Sequence, residues 1–312
     1  MRHALIVAGP TCSGKSALAL GLAERLGGTV INADSMQVYR ELRVLTARPT
    51  PADEARVPHR LYGVRPAAEA GSVAWWRAAA LAEMEAAALP ILCGGTGLYF
   101  ASLTDGLVDI PPPTPEARAK ARSMLAELGP AALHAKLMHT DPATAAGLRP
   151  TDGQRLARAW EVWATTGRGL HDWQCDGSAP APWRFTAILL DPPREALRAA
   201  IKGRFTAMIE QGAIAEVSAL LELGLDPALP AMRAHGVPEL SAYLSGDITL
   251  TEATRRAELV TGQYTKRQAT WFRHRVLAAP ERTHTIHARI AGLEQFSERE
   301  IAELMMFIRD AG

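Results

Sequence analysis

The sequence predicts an α/β fold, a parallel sheet core flanked by helices and interrupted by an all-helical insertion domain. Three observations carry this reading. Short apolar runs alternate with helical stretches through the first third of the chain. A glycine-rich turn joins the first of those runs to a helix. Beyond the prolines at 111–113, no convincing strand appears until about residue 183.

The elements follow in chain order. Residues 3–8, 29–33 and 90–93 read as strands, and residues 17–26 and 73–88 as helices. Thr114 is a candidate N-cap, with Pro115 at the first helical position. Asp152 caps a second insertion helix ending at Gly167, in which Leu156, Trp160 and Trp163 share one face. Residues 178–182 read as a linker. A strand is expected over 185–190, with Asp191 as a helix-start residue. The next helix carries Leu197, Ile201, Phe205, Met208 and Ile209 on one stripe, with Gly212 as its C-cap. Thr249–Glu252 and Ser297–Glu300 have capping-box spacing. The expected division is a core of residues 1–112 and 183–312, with 113–182 as the insertion.

Composition narrows the class. The 312 residues are 48% hydrophobic and 21% charged, as in a soluble enzyme. A net charge of only +1 means that nucleic-acid binding would need local basic patches. No signal-peptide pattern and no stretch long enough to span a bilayer are found. Cys12, Cys93 and Cys175 form neither a metal pattern nor a disulfide framework, which fits a reducing cytoplasm.

The chemistry concentrates at the predicted strand ends. Gly9-Pro10-Thr11-Cys12-Ser13-Gly14-Lys15-Ser16 matches G-x-x-x-x-G-K-[ST] between a strand and a helix. Such a loop turns backbone N–H groups toward phosphate oxygens, and the helix start adds partial positive charge. Lys15 reaches the outer phosphate, and the Ser16 hydroxyl can ligate Mg²⁺. This makes the core P-loop NTPase-like and says that it binds a di- or triphosphate. Cys12 is expected to fill a variable loop position. Asp34 closes the second strand, on the same sheet edge as the loop, as a metal ligand or general base or as a plain loop acid. Gly94-Gly95-Thr96-Gly97 ends another strand there, with Thr96 offering a hydroxyl. Lys266, Arg267, Arg273 and Arg275 share residues 262–276 with Tyr264, Trp271 and Phe272, a mixture suited to phosphate contact and base stacking or, as for most such runs, to a solvated helix face.

Taken together, GPTCSGKS (9–16), INADSMQVY (31–39), CGGTGLYF (93–100), DGQRLARAWEV (152–162), AMRAHGVPEL (231–240) and YTKRQATWFR (264–273) resemble the tRNA dimethylallyltransferases, over nearly the whole chain. The resemblance implies transfer of a dimethylallyl group from dimethylallyl diphosphate, with Mg²⁺, to N6 of adenosine 37 beside the tRNA anticodon. It implies that Gly9, Thr11, Cys12, Ser13, Gly14, Lys15, Ser16 and Arg204 hold the diphosphate. Asp34 would be the general base, with Thr96 positioning the reacting groups. Contacts to tRNA would come from Asp34, Ser35, Met36, Gln37, Thr96, Arg118, Gln154, Arg155, Leu156, Ala157, Arg158, Lys266, Arg267 and Arg273, the insertion acting as a clamp. A cytoplasmic monomer, without a membrane partner, is expected. Three positions depart from the family's usual pattern: Arg48 stands for Lys, Ala200 for an Arg four places before Arg204, and Arg233-Ala234-His235-Gly236-Val237 for R-A-I-G-Y. A kinase, an isopentenyltransferase acting on free adenylate and a regulatory nucleotide switch also fit the loop. The insertion and the basic, aromatic C-terminal helix favour tRNA over a mononucleotide, and Asp34 and Thr96 beside the loop speak against a switch.

Overall fold

The computed structural model describes residues 2–311. The first part of the chain alternates strands and helices: β1 (Arg2–Ala8), α1 (Lys15–Leu26), β2 (Thr29–Asn32), α2 (Pro51–Arg56), β3 (His59–Arg60), α3 (Val73–Ala86), β4 (Pro90–Gly94) and α4 (Gly97–Thr104). Helices alone follow: α5 (Pro115–Thr140), α6 (Pro142–Ala146), α7 (Gly153–Thr166) and α8 (Leu170–Cys175). The chain returns to the sheet as β5 (Trp183–Leu190) and continues through α9 (Arg194–Glu210), α10 (Ala213–Glu222), α11 (Val237–Leu244), α12 (Leu250–Arg273), β6 (Thr283–Ile286) and α13 (Glu298–Ala311).

All strand pairs are parallel, in the order β3-β2-β4-β1-β5-β6. Parallel sheets need both faces covered, and the β1 side chains show how. Ala4, Ile6 and Ala8 enter a cluster built with Trp76 of α3, Phe100 of α4, Phe205 of α9 and Phe272 of α12. Leu5 and Val7 enter the opposite cluster, with Leu18 and Leu22 of α1 and Leu304 and Ile308 of α13. Every strand C-terminus therefore meets one edge, where the loops after β1, β2 and β4 lie side by side.

Two compact units result. Asp105–Pro180 form one, and the sheet with its helices forms the other. Inside the smaller unit, Thr114 and Asp152 cap α5 and α7 by accepting the N–H groups of Ala117 and Arg155. Gly167 closes α7 in the left-handed conformation, φ 68°. The buried stripe of α7 is Leu156, Ala159 and Val162, while Trp160 and Trp163 are half-buried and lean on each other at 5.4 Å. Trp160 packs against the core cluster that holds Leu156 and Ala159, so the expected face holds for Leu156 and Trp160.

Two strands were not expected from the sequence, and three further expectations are corrected. β3 and β6, edge strands of two and four residues, are too short to show a period in the sequence. α9 begins at Arg194 after Pro193, so Asp191 caps nothing. Gly212, at φ 98°, opens α10 as its N-cap; Gln211 closes α9. Glu252 gives its carboxylate to Arg255 and Arg256 instead of completing a capping box, although Thr249 does cap α12.

Candidate active site

β1 delivers the chain to Gly9, and α1 departs from Lys15. Between them Cys12 and Gly14 adopt positive φ, 66° and 95°. A Cβ on Gly14 would stand 1.7 Å from the Ile290 carbonyl oxygen, so no other residue fits there. The N–H groups of Lys15, Ser16 and Ala17 precede the first intrahelical bond, from Leu18 N–H to the Gly14 oxygen at 3.1 Å. Such donors at a helix start suit an anion. Lys15 is half-buried, its Nζ 3.4 Å from the Pro10 oxygen. Burial lowers its pKa, the Asp34 carboxylate opposes that, and the Arg204 guanidinium adds to it. Arg204 reaches the loop from α9, 3.9 Å from Cys12 Sγ, and donates to the Thr46 oxygen at 3.5 Å. Cys12 packs against Leu197, Ile201 and Ala200, which makes it the small filler expected.

Two loop residues turn inward. Thr11 donates both its N–H and its hydroxyl to Gln268 Oε1, at 2.9 and 3.1 Å. Ser13 donates its N–H to the Pro10 oxygen, and its hydroxyl is fully buried beside Gly9 without a partner.

Asp34 is set by Asn32, a fully buried amide. Asn32 Oδ1 accepts the Asp34 N–H at 2.8 Å, while Nδ2 donates to the carbonyl oxygens of Asp34 and Leu61, each at 3.0 Å. Asp34 Oδ1 accepts the Met36 N–H at 3.0 Å, and its second oxygen takes no hydrogen bond among the described residues. The loop after β4 closes on this turn. Thr96 donates its N–H to the Ala33 oxygen at 3.1 Å, and its hydroxyl oxygen accepts the Ser35 N–H at 2.9 Å. A Cβ on Gly94 would lie 2.0 Å from the Ala33 oxygen, so the two strand ends approach this closely only through glycine. Tyr264 of α12 lies beside Thr96 and Gln268, and burial, with Asp34 nearby, pushes its phenol up to about 12. Gln37 spends its amide on the Thr46 and Ala47 oxygens, and Met36 packs against the core.

The fold thus brings Lys15, Arg204, Asp34 and Thr96 to one edge. Lys266 and Arg267 are exposed on α12, the Arg267 guanidinium 5.6 Å from the Tyr264 ring centre. Arg273 grips Asp191 through both oxygens, at 2.8 and 3.0 Å, which is the role Asp191 has. Phe272 is a core residue, 3% exposed, and offers no stacking face. In the insertion, Arg118, Gln154 and Arg155 are exposed; Ala157 and Arg158 are half-buried. Arg155 pairs with Asp152 and Arg158 with Glu161, both at 3.5 Å. Leu156 is fully buried in that unit's core, so its side chain is not an RNA contact.

The departures have local roles. Arg48 donates to the Tyr39 and Arg40 oxygens, at 3.3 and 3.1 Å, tying down the segment after Asp34. His235 leans on Tyr264 at 4.9 Å, and burial lowers its pKa. Asn32 and Gln268 are the site residues that sequence reasoning missed. A lone amide in an apolar strand or a basic helix carries no signal until strand ends are paired in space.

Ser16 is exposed at the start of α1, beside Cys93, whose thiol burial pushes up to about 11. Its hydroxyl is a hard oxygen donor of the kind Mg²⁺ takes alongside substrate phosphates. Among the described residues, no cluster of three or more His, Cys, Asp or Glu forms a metal site by itself. No helix there is long and apolar enough to cross a membrane.

Comparison with known proteins shows what the chain is similar to. A family model described as IPP transferase matches residues 37–275. The chain is 62% identical to a tRNA dimethylallyltransferase of Granulibacter bethesdensis, over 99% of this chain and 98% of that protein. It is 60% identical to one from Gluconacetobacter diazotrophicus, over 98% and 94%. Among solved structures, the tRNA isopentenylpyrophosphate transferase of Bacillus halodurans is 30% identical with a TM-score of 0.69, covering 100% of this chain and 97% of that one. A eukaryotic dimethylallyltransferase acting on tRNA has a TM-score of 0.81 at 24% identity, covering 99% of this chain and 80% of the other, and so shares the fold.

Proposed function

Because the chain belongs to the IPP transferase family, we propose that it transfers the dimethylallyl group of dimethylallyl diphosphate to N6 of adenosine 37 in tRNA. The observation that carries this reading is the meeting of Lys15 and Arg204 with Asp34 at one sheet edge.

An exocyclic adenine amine is a weak nucleophile, because its lone pair is delocalised into the ring. The reaction therefore needs a good leaving group and a base. The C1–O bond of the prenyl diphosphate breaks as the C1–N6 bond forms, and pyrophosphate departs with its electron pair. Negative charge grows on its oxygens, where the α1 amides, Lys15 and Arg204 are preorganised donors. The allylic carbon tolerates positive charge, so a loose transition state follows. The proton released by N6 goes to Asp34, whose unbonded oxygen is the acceptor; such general-base help is worth ~10²–10⁴-fold. Ser16 would hold Mg²⁺, which supplies further charge neutralisation on pyrophosphate when bound. Thr96 fixes the Asp34 turn through Ser35.

Adenine has to leave the anticodon-loop stack, at roughly a few kcal/mol. We assign the offsetting RNA contacts to exposed cations, Lys266 and Arg267 on α12 and Arg118 and Arg155 on the insertion helices, together with half-buried Arg158. The insertion's role as a clamp, a cytoplasmic location and a monomeric state belong to the same proposal.

The test is direct. The protein is incubated with Mg²⁺, labelled dimethylallyl diphosphate and unmodified tRNA, without ATP. Label entering tRNA at adenosine 37 is the expected result. Label entering only free adenylate, or phosphoryl transfer that requires ATP, contradicts it.

A further inference from the structure

Gln268 lies on the helix that carries Lys266 and Arg267, yet it faces the other way and is 5% exposed. Its carboxamide is used at both ends. Oε1 accepts the N–H and the hydroxyl of Thr11, at 2.9 and 3.1 Å. Nε2 donates to the Gly95 oxygen at 2.9 Å. A Cβ on Gly95 would stand 2.2 Å from that nitrogen, so Gly95 leaves room for this contact. Tyr264, one helical turn earlier, lies beside Gln268 and Thr96.

These contacts have one geometric consequence. Thr11 belongs to the loop assigned to the diphosphate. Gly95 precedes Thr96, which holds the turn presenting Asp34. A single side chain therefore spans the two halves of the site. Its length fixes how far the leaving-group cradle stands from the proton acceptor, and so how the reacting carbon meets the attacking nitrogen.

We propose that Gln268 is a positioning residue for the transfer reaction, setting the spacing between the diphosphate loop and the Asp34–Thr96 pair without touching either substrate. The inference rests on the assignment of those two halves. Misplacement by about 1 Å in such a site reduces rate on the order of 10²-fold. Its signature is a fall in kcat with substrate affinities retained.

The orientation of the amide supplies a second readout. In Gln268→Glu, a neutral carboxyl reproduces the amide, with one oxygen accepting from Thr11 and the O–H donating to the Gly95 oxygen. The ionised form loses that donor and sets a negative oxygen against a carbonyl. Burial raises the pKa of such a group. Activity of Gln268→Glu, taken as a ratio to wild type at each pH, should therefore rise as pH falls. The ratio to wild type cancels the pH effects common to both proteins.

The experiment measures single-turnover rate, pyrophosphate affinity and tRNA affinity for wild type, Gln268→Met, Gln268→Glu and Asp34→Ala. We expect Gln268→Met to lose ~10–100-fold in rate, with both affinities within about threefold of wild type. We also expect the Gln268→Glu ratio to climb at least threefold between pH 8 and pH 6. A wild-type rate in Gln268→Met, a loss confined to affinity, or a flat Gln268→Glu ratio would overturn the proposal. Full activity in Asp34→Ala would instead overturn the underlying site assignment.

Discussion

At the scale of single residues, the site is held by amides more than by charges. Asn32 and Gln268 are buried, use their side-chain oxygen and nitrogen alike, and each fixes a backbone turn in the proposed site. Buried polar groups are tolerated only when paired in this way, and once paired they specify one geometry. Lys15, half-buried, is the charged end of the same design. Burial holds its pKa below the ordinary lysine value, and Arg204 pushes the same way. The sign follows: the charged form binds pyrophosphate, so the lysine's contribution is present below its lowered pKa and is lost as pH rises through it. Pyrophosphate affinity of wild type relative to Lys15→Met, measured by calorimetry from pH 7 to pH 10, should fall toward unity, starting below the range of an unperturbed lysine. A ratio independent of pH would show that Lys15 does not contact the anion.

At the scale of elements, sequence patterns carried different amounts of information. The β1–loop–α1 unit was legible because its motif, its apolar strand and its helix occupy one contiguous segment. Caps at Thr114, Asp152 and Thr249 were legible for the same reason. What escaped depends on partners distant in the chain. β3 has two residues and exists by pairing with Val30 and Ile31 of β2. Asp191 looked like a helix start, but Arg273, far along the chain, takes its carboxylate. Leu156 lay inside a segment assigned to RNA, although helical periodicity turns it to the core between exposed Arg155 and half-buried Arg158. That division on α7 is testable. Leu156→Ala should cost about 2–5 kcal/mol in the stability of the unit containing it, read by hydrogen exchange of α5 and α7. Arg158→Ala should leave exchange unchanged and weaken tRNA binding by a factor that shrinks with added salt. Equal exchange in wild type and Leu156→Ala, or undiminished tRNA affinity in Arg158→Ala, would count against the division.

At the scale of the whole molecule, a parallel sheet with both faces covered delivers three loops to one edge, and that edge carries the chemistry. A phosphate loop on this scaffold is familiar from nucleotide hydrolysis. Here the neighbouring strand end supplies a carboxylate with one free oxygen, and α12 ties the two together. Net charge is near zero, so RNA attraction on the proposed function has to be local, and the proposal assigns it to cations on α12 and on the insertion. The account depends most on Asp34 as the acceptor of the N6 proton. Its direct test is the single-turnover rate of Asp34→Ala with tRNA and dimethylallyl diphosphate both saturating, alongside pyrophosphate affinity. The account predicts a rate lower by ~10²–10⁴-fold with pyrophosphate binding nearly unchanged. A near-wild-type rate in that variant would contradict it.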